Sequence, residues 1–123
     1  DDSVWEYDPA ANVITRVYEA ATSPSGDLTD TDNLTSLGEV LYVCEDSGNL
    51  EINLIRPGVS DEAWPVVQLA TSASTELTGV SFSPDGRRMY FSSQRGVVAT
   101  YPNGITSEVT GPWNLFAEPN PTV

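Results

Sequence analysis

Carboxylates, carboxamides and arginine are the chemistry this sequence offers. It carries 18 Asp and Glu against five basic residues, all arginine (Arg16, Arg56, Arg87, Arg88 and Arg95), with neither Lys nor His, for a formal charge of −13. Without imidazole there is no His general base, no Ser-His-Asp triad and no His-ligated zinc within these residues. Oxygen ligands of this kind suit a hard cation, Ca²⁺ above all. The residues that could serve stand in four short stretches: Asp32 and Asn33 in TDNLT, Glu45 and Asp46 in VCED, Glu76 in ELTG, and then Gln94 and Arg95 in SQRG.

Each has a plainer reading beside the chemical one. Asp32 and Asn33 are common turn formers whose side chains bond nearby backbone. Glu45 and Asp46 are neighbours on a strand, where adjacent side chains face opposite ways, so at most one is expected to reach a shared site. Glu76 has the strongest claim, because nothing in SASTELTGVSF otherwise calls for a charge just before a buried strand. Arg95 either holds an anion or neutralises surplus carboxylate. The acidity as a whole fits a saline habitat as well as a cation site, and it argues against nucleic-acid or anionic-membrane partners, which this surface would repel.

The lone cysteine, Cys44, rules out an internal disulfide and reads as a small buried strand residue. No stretch approaches the roughly 20 apolar residues of a membrane span. The start, DDSVWEYD, lacks the basic and apolar regions of a signal peptide, so an export signal is expected to have been removed or to lie upstream. Asn33-Leu34-Thr35 forms a glycosylation sequon, a poor acceptor at a buried strand start.

The elements that must position these groups read as β-strands. Short runs rich in β-branched and aromatic residues alternate with SPSGD, DSGN, RPGVSDE, SPDGR and YPNG, which carry turn chemistry. No window shows a sustained helical period. The segment DNLTSLGEVLYVCEDSG repeats as ELTGVSFSPDGRRMYFSSQRG: Gly38 matches Gly86, Leu41-Tyr42 match Met89-Tyr90 and Gly48 matches Gly96 at one constant offset. Matching Leu-Thr to Leu-Thr ahead of the turn sets Asp32 and Asn33 against Glu76, in a less secure register.

A repeat of this length, with about four strands, is the signature of a β-propeller blade. The reading is therefore all-β, a propeller segment of about two to two and a half four-stranded blades forming one unit over 1–123. A blade remnant occupies 1–20, blades occupy 30–70 and 75–112, and 113–123 is a tail. Inner strands are expected at Leu34 to Ser36 and Gly79 to Phe82, second strands at Val40 to Cys44 and Arg88 to Ser93. Third strands are expected at Glu51 to Ile55 and Val97 to Tyr101, outer strands at Trp64 to Leu69 and Ser107 to Thr110. Trp5, Trp64 and Trp113 are expected in blade packing. In such a blade the start of the inner strand and the end of the second meet at one rim, which would gather Asp32, Asn33, Glu45, Asp46, Glu76 and Gln94. A closed propeller needs at least about four blades, so the chain is expected to be part of a longer protein. The alternatives are a partial propeller completed by self-association and a different β-sandwich in which the repeat is coincidental.

At these residues the sequence resembles the C-terminal part of the PhoX-type alkaline phosphatases, especially secreted bacterial and archaeal relatives. VWEYDPAANVITRVYEA, TDNLTSLGEVLYVCEDSGNLEINLI, ELTGVSFSPDGRRMYFSSQRG and SEVTGPW carry the likeness over nearly the whole chain. The resemblance implies a secreted or periplasmic phosphomonoesterase with calcium, and with iron in the full-length protein. It implies Asp32, Asn33, Glu45 and Glu76 as metal-site positions, with Gln94 and Arg95 near a phosphate monoester substrate. Gln94-Arg95-Gly96 stands where the family often has Gln-His-Pro-Gly, and Cys44 does not match the family's iron-binding cysteine. The 123 residues alone are not expected to hydrolyse phosphate esters. The second reading is a non-catalytic propeller module serving as an interaction scaffold, its rim acids solvated turns.

Overall fold

The computed structural model describes residues 2–24, 28–71, 74–96 and 103–117. Among them the chain is all-β, with three small antiparallel sheets and one short helix. β1 (Ser3–Asp8) and β2 (Val13–Glu19) form a hairpin, its turn held by Asp8 Oδ1 accepting from the Ala10 and Ala11 amides. The second sheet is a meander of β3 (Thr31–Leu37), β4 (Val40–Glu45), β5 (Glu51–Ile55) and β6 (Ala63–Gln68). The third is β7 (Leu77–Phe82), β8 (Arg88–Ser93) and β9 (Ile105–Thr110), followed by helix α1 (Trp113–Ala117).

β5 explains the layering. All five of its residues are buried, so both of its faces are covered. Ile52 and Leu54 join Val40, Tyr42 and Cys44 in a core shared with Leu77, Val80, Met89 and Phe91 of the third sheet. Ile55, with Val43 of β4 and Ala63 of β6, faces the other way onto Val4, Val17, Tyr18 and Leu28. Each aliphatic side chain withdrawn from water contributes roughly 1.5–3 kcal/mol, so these two layers bind the second sheet to its neighbours on either side.

Trp113 completes the first layer. Its ring lies 6.3 Å from those of both Tyr42 and Phe82, and its indole N–H donates to the Val109 carbonyl at 3.0 Å. Trp5 and Trp64, expected in packing, are instead 59% and 38% exposed. They lie on the hairpin and on the last strand of the second sheet, where the described residues put no further sheet over them.

The two repeated turns meet the same helix. Gly38 and Gly86 both have positive φ, 60° and 62°, a region open to glycine without steric cost. A Cβ at Gly38 would stand 2.6 Å from the Ala117 carbonyl oxygen, and one at Gly86 2.7 Å from Asn114 Cβ. Helix α1 therefore lies across both turns, fixed further by the Asn114 amide donating to the Gly86 carbonyl and by Arg56 donating to the Phe116 carbonyl.

Cross-strand pairing corrects the expected register of the repeat. Thr31 pairs with Glu45 as Leu77 pairs with Ser93, and the Asp46 amide donates to the Asp30 carbonyl as the Gln94 amide donates to that of Glu76. The counterpart of Glu76 is thus Asp30, not Asp32 or Asn33. Matching Leu-Thr pairs misled because register follows the pairing and the turn, and the turn from Ser83 is longer than Gly38-Glu39. A second correction concerns the third sheet. β9 pairs directly with β8, so Ser107 to Thr110 belong to the third strand rather than an outer one. The third strand expected at Val97 to Tyr101 lies outside the described residues.

Candidate functional site: a carboxylate rim between two sheets

Each sheet ends its second strand and begins its first at the same edge, so four short segments converge there. Asp32 lies near the start of β3, Asp46 just past β4, Glu76 just before β7, and Gln94 and Arg95 just past β8. The bulge between Thr31 and Leu34 places one extra residue in β3 at Asp32-Asn33. A bulge re-aims side chains locally. Asp32 is exposed, and its carboxylate accepts from the side-chain Nδ2 of Asn33.

Asp46 and Glu76 join the two sheets. Their carboxyl groups hydrogen-bond to each other, which holds the Glu76 carboxyl above its ordinary value of 4.5. Partial desolvation and the negative charges of Asp46 and Asp32 push the same way, while Arg95 opposes them. Glu76 can donate this hydrogen bond only while it is protonated, because two carboxylates offer only acceptors. The Arg95 backbone is anchored by its amide donating to Thr75 Oγ1 at 2.9 Å, and Thr75 Oγ1 in turn bonds Ser93 Oγ. Gln94 is exposed, held through its backbone amide to Glu76.

Glu45 is not part of this rim. It is 0% exposed, and both carboxylate oxygens are taken by backbone amides, Oε1 by Thr29 at 3.2 Å and Oε2 by Glu51 at 2.9 Å. Burial pushes its carboxyl above 4.5, with the Glu51 and Asp30 charges adding to that and the two amides opposing it. Glu45 ties the segment before β3 and the start of β5 to the end of β4. Ser93, its counterpart in the third sheet, does the same work with a hydroxyl, bonding Thr75 Oγ1 and the Gly96 carbonyl. The expectation that at most one of Glu45 and Asp46 reaches the rim holds, but the residue that does so is Asp46.

The sequence alone could not choose between those two, since β4 is buried on both faces and carries no polar alternation to reveal its orientation. Cys44 is the usable signal. It lies in the layer shared with the third sheet, and strand alternation puts Asp46 on the same side. The thiol is fully buried, and desolvation, with a smaller push from Asp32, raises its pKa to about 12 against a hydrogen bond with the Val80 backbone. Asp30, the true counterpart of Glu76, accepts from the Ser47 hydroxyl.

In kind, the rim suits calcium: carboxylate oxygens with no thiolate or imidazole. In number it does not complete a shell of 6–8 oxygens, and among the described residues no group of three or more His, Cys, Asp or Glu is arranged to hold a metal ion. Iron finds less support, since the only thiol is buried, protonated and turned into the inter-sheet core. No helix among the described residues is long and apolar enough to cross a membrane. Comparison with protein-family models, with curated proteins and with solved structures found no match.

Proposed function

We propose that the chain is a segment of a β-propeller, in which the second and third sheets are adjacent blades and the hairpin is the outer half of a preceding one. Its rim supplies Asp32, Asp46 and Glu76 to a calcium site of a secreted or periplasmic PhoX-like phosphomonoesterase. These carboxylates are a part of that site, and the chain alone does not turn over a phosphate monoester. The observation that carries this reading is the Asp46–Glu76 carboxyl pair bridging two sheets, with the Asp32 charge beside it. A site that crowds carboxyl groups until Glu76 holds its proton more tightly is one in which a cation can take the proton's place. Arg95, on the same rim, is available to meet the oxygens of a phosphoryl group.

Calorimetric titration with Ca²⁺ tests the proposal. It expects binding with Kd of roughly 10⁻⁴–10⁻³ M, the range of extracellular calcium modules, weakened at least about tenfold in Glu76→Gln. The absence of any binding heat in the wild type would overturn it.

One observation favours the second reading, a non-catalytic scaffold. The Asp46–Glu76 hydrogen bond already satisfies the pair without a metal, and the described residues do not assemble a ligating group of three. On that reading the pair is a proton-dependent clasp between sheets, and calcium leaves stability unchanged.

A further inference from the structure

We infer that a buried water site lies beside Asn53 and Glu51, on the face of β5 turned toward the β1–β2 hairpin. Asn53 is 0% exposed, and neither its Oδ1 nor its Nδ2 has a hydrogen-bond partner among the described residues. Glu51, also buried, has an unpartnered Oε2. The two residues stand two apart on one strand and so share a face. That face also carries Ile55, and Val43 lies directly across from Asn53; both of these pack onto Val4, Val17, Tyr18 and Leu28.

The chemistry of the unpaired atoms selects the occupant. A buried polar atom without a partner costs roughly 1–3 kcal/mol, and three of them belong to one face of β5, in a layer where an aliphatic side chain would incur none of that cost. The occupant must donate to Asn53 Oδ1 and Glu51 Oε2 and accept from Asn53 Nδ2. Water does both, whereas a metal cation cannot accept from the amide. Strand positions two apart are separated by about 6.6 Å, and a bridging water links polar atoms roughly 5.5 Å apart through two hydrogen bonds of ordinary length.

Such a water extends a hydrogen-bonded string. The Glu51 amide donates to Glu45 Oε2, and Glu45 Oε1 accepts from the Thr29 amide, so the string runs from the middle of β5 to the strand end that presents Asp46. The inference stands whether or not that rim binds a cation.

A high-resolution crystal structure of the whole chain, with Asn53→Leu beside it, tests this. The expected result is a density peak within hydrogen-bonding distance of the Asn53 amide and Glu51 Oε2, lost in the variant, together with a lower urea midpoint for Asn53→Leu. An Asn53 amide bonded only to protein groups would overturn the inference. So would a peak ringed by oxygens at about 2.3–2.6 Å, the signature of calcium, or a raised urea midpoint. If the variant does not fold, the wild type decides: a long-lived water must give a nuclear Overhauser contact to the Asn53 side-chain amide, and its absence contradicts the site.

Discussion

The carboxyl groups of Asp46 and Glu76 hydrogen-bond to each other across the junction of the second and third sheets. Neither residue lies within a regular strand; each is the first residue beyond one, carried to the edge by strands whose cores are packed together through Cys44, Val80 and Leu77. The relationship is a consequence of two repeats lying side by side, and it makes the Glu76 carboxyl hold its proton more tightly than an isolated one would.

That proton gives stability a pH dependence of definite sign. Glu76 has a raised carboxyl in the folded protein, so the folded state binds the proton more tightly than the unfolded state. The stabilisation is complete below the ordinary value of 4.5 and is lost as pH rises through the elevated folded value. Glu45 contributes with the same sign. Urea midpoints measured as pH rises from 4.5 toward neutrality should therefore fall. In Glu76→Gln, whose carboxamide donates to Asp46 at every pH, the fall should be shallower. An equally steep fall in the variant would remove the Asp46–Glu76 pair as the source of the pH dependence.

Glu45 is a structural acid, and its replacement should show it. Glu45→Ala leaves two amide donors, of Thr29 and Glu51, without their acceptor at the end of β4. The Glu51 donor is buried and that of Thr29 only partly so; at roughly 1–3 kcal/mol for a buried donor left unpaired, a loss of about 1–4 kcal/mol is expected in urea unfolding. Glu45→Gln, keeping one acceptor oxygen, should lose about half as much. A change below about 0.5 kcal/mol for Glu45→Ala would contradict this role.

Gly38 and Gly86 are coupled through helix α1. Each Ala substitution combines a positive φ with a close approach to the helix, so a cost of about 1–3 kcal/mol is expected for either alone. Once one substitution has displaced α1, the second meets less resistance. The double variant should thus cost less than the two singles added, a departure larger than the roughly 0.3–0.5 kcal/mol scatter of independent sites. Strict additivity would mean that the helix does not link the turns.

Cys44 should be inert in the native protein. With the thiol fully buried and its pKa pushed up to about 12, the thiolate that reacts with alkylating agents is scarce and inaccessible at neutral pH. Mass spectrometry should show alkylation only at the rate at which the protein unfolds, accelerating with urea. Rapid modification without denaturant would show that the inter-sheet layer opens readily.

The sequence made the strands legible because β-branched runs broken by Gly, Pro and Asp leave few other choices, and the offset carried by Gly38 and Gly86 located the second copy correctly after its turn. Ahead of the turn the offset no longer holds, since residue type does not report a turn's length. Asp30 is therefore not legible as the counterpart of Glu76 without the strand pairing. Only the family resemblance favours Glu45 over Asp46, because a strand buried on both faces gives no alternation from which to read its orientation. The hydroxyls of Thr75 and Ser93, which replace the Glu45 carboxylate in the third sheet, carry no sequence signal beyond that corrected register. Glu76 was legible because a charge ahead of a buried strand needs a reason, and the Asp46 carboxyl provides one.

The central claim is that acids from two adjacent repeats form one cation site. Calcium titration of Asp46→Asn against Glu108→Gln, which removes the same charge from β9 far along the third sheet, tests it most directly. The account predicts that Asp46→Asn weakens Ca²⁺ binding at least about tenfold, a loss of about 1.4 kcal/mol, while Glu108→Gln leaves it within about twofold. Equal weakening by both, or no binding by the wild type, would contradict it.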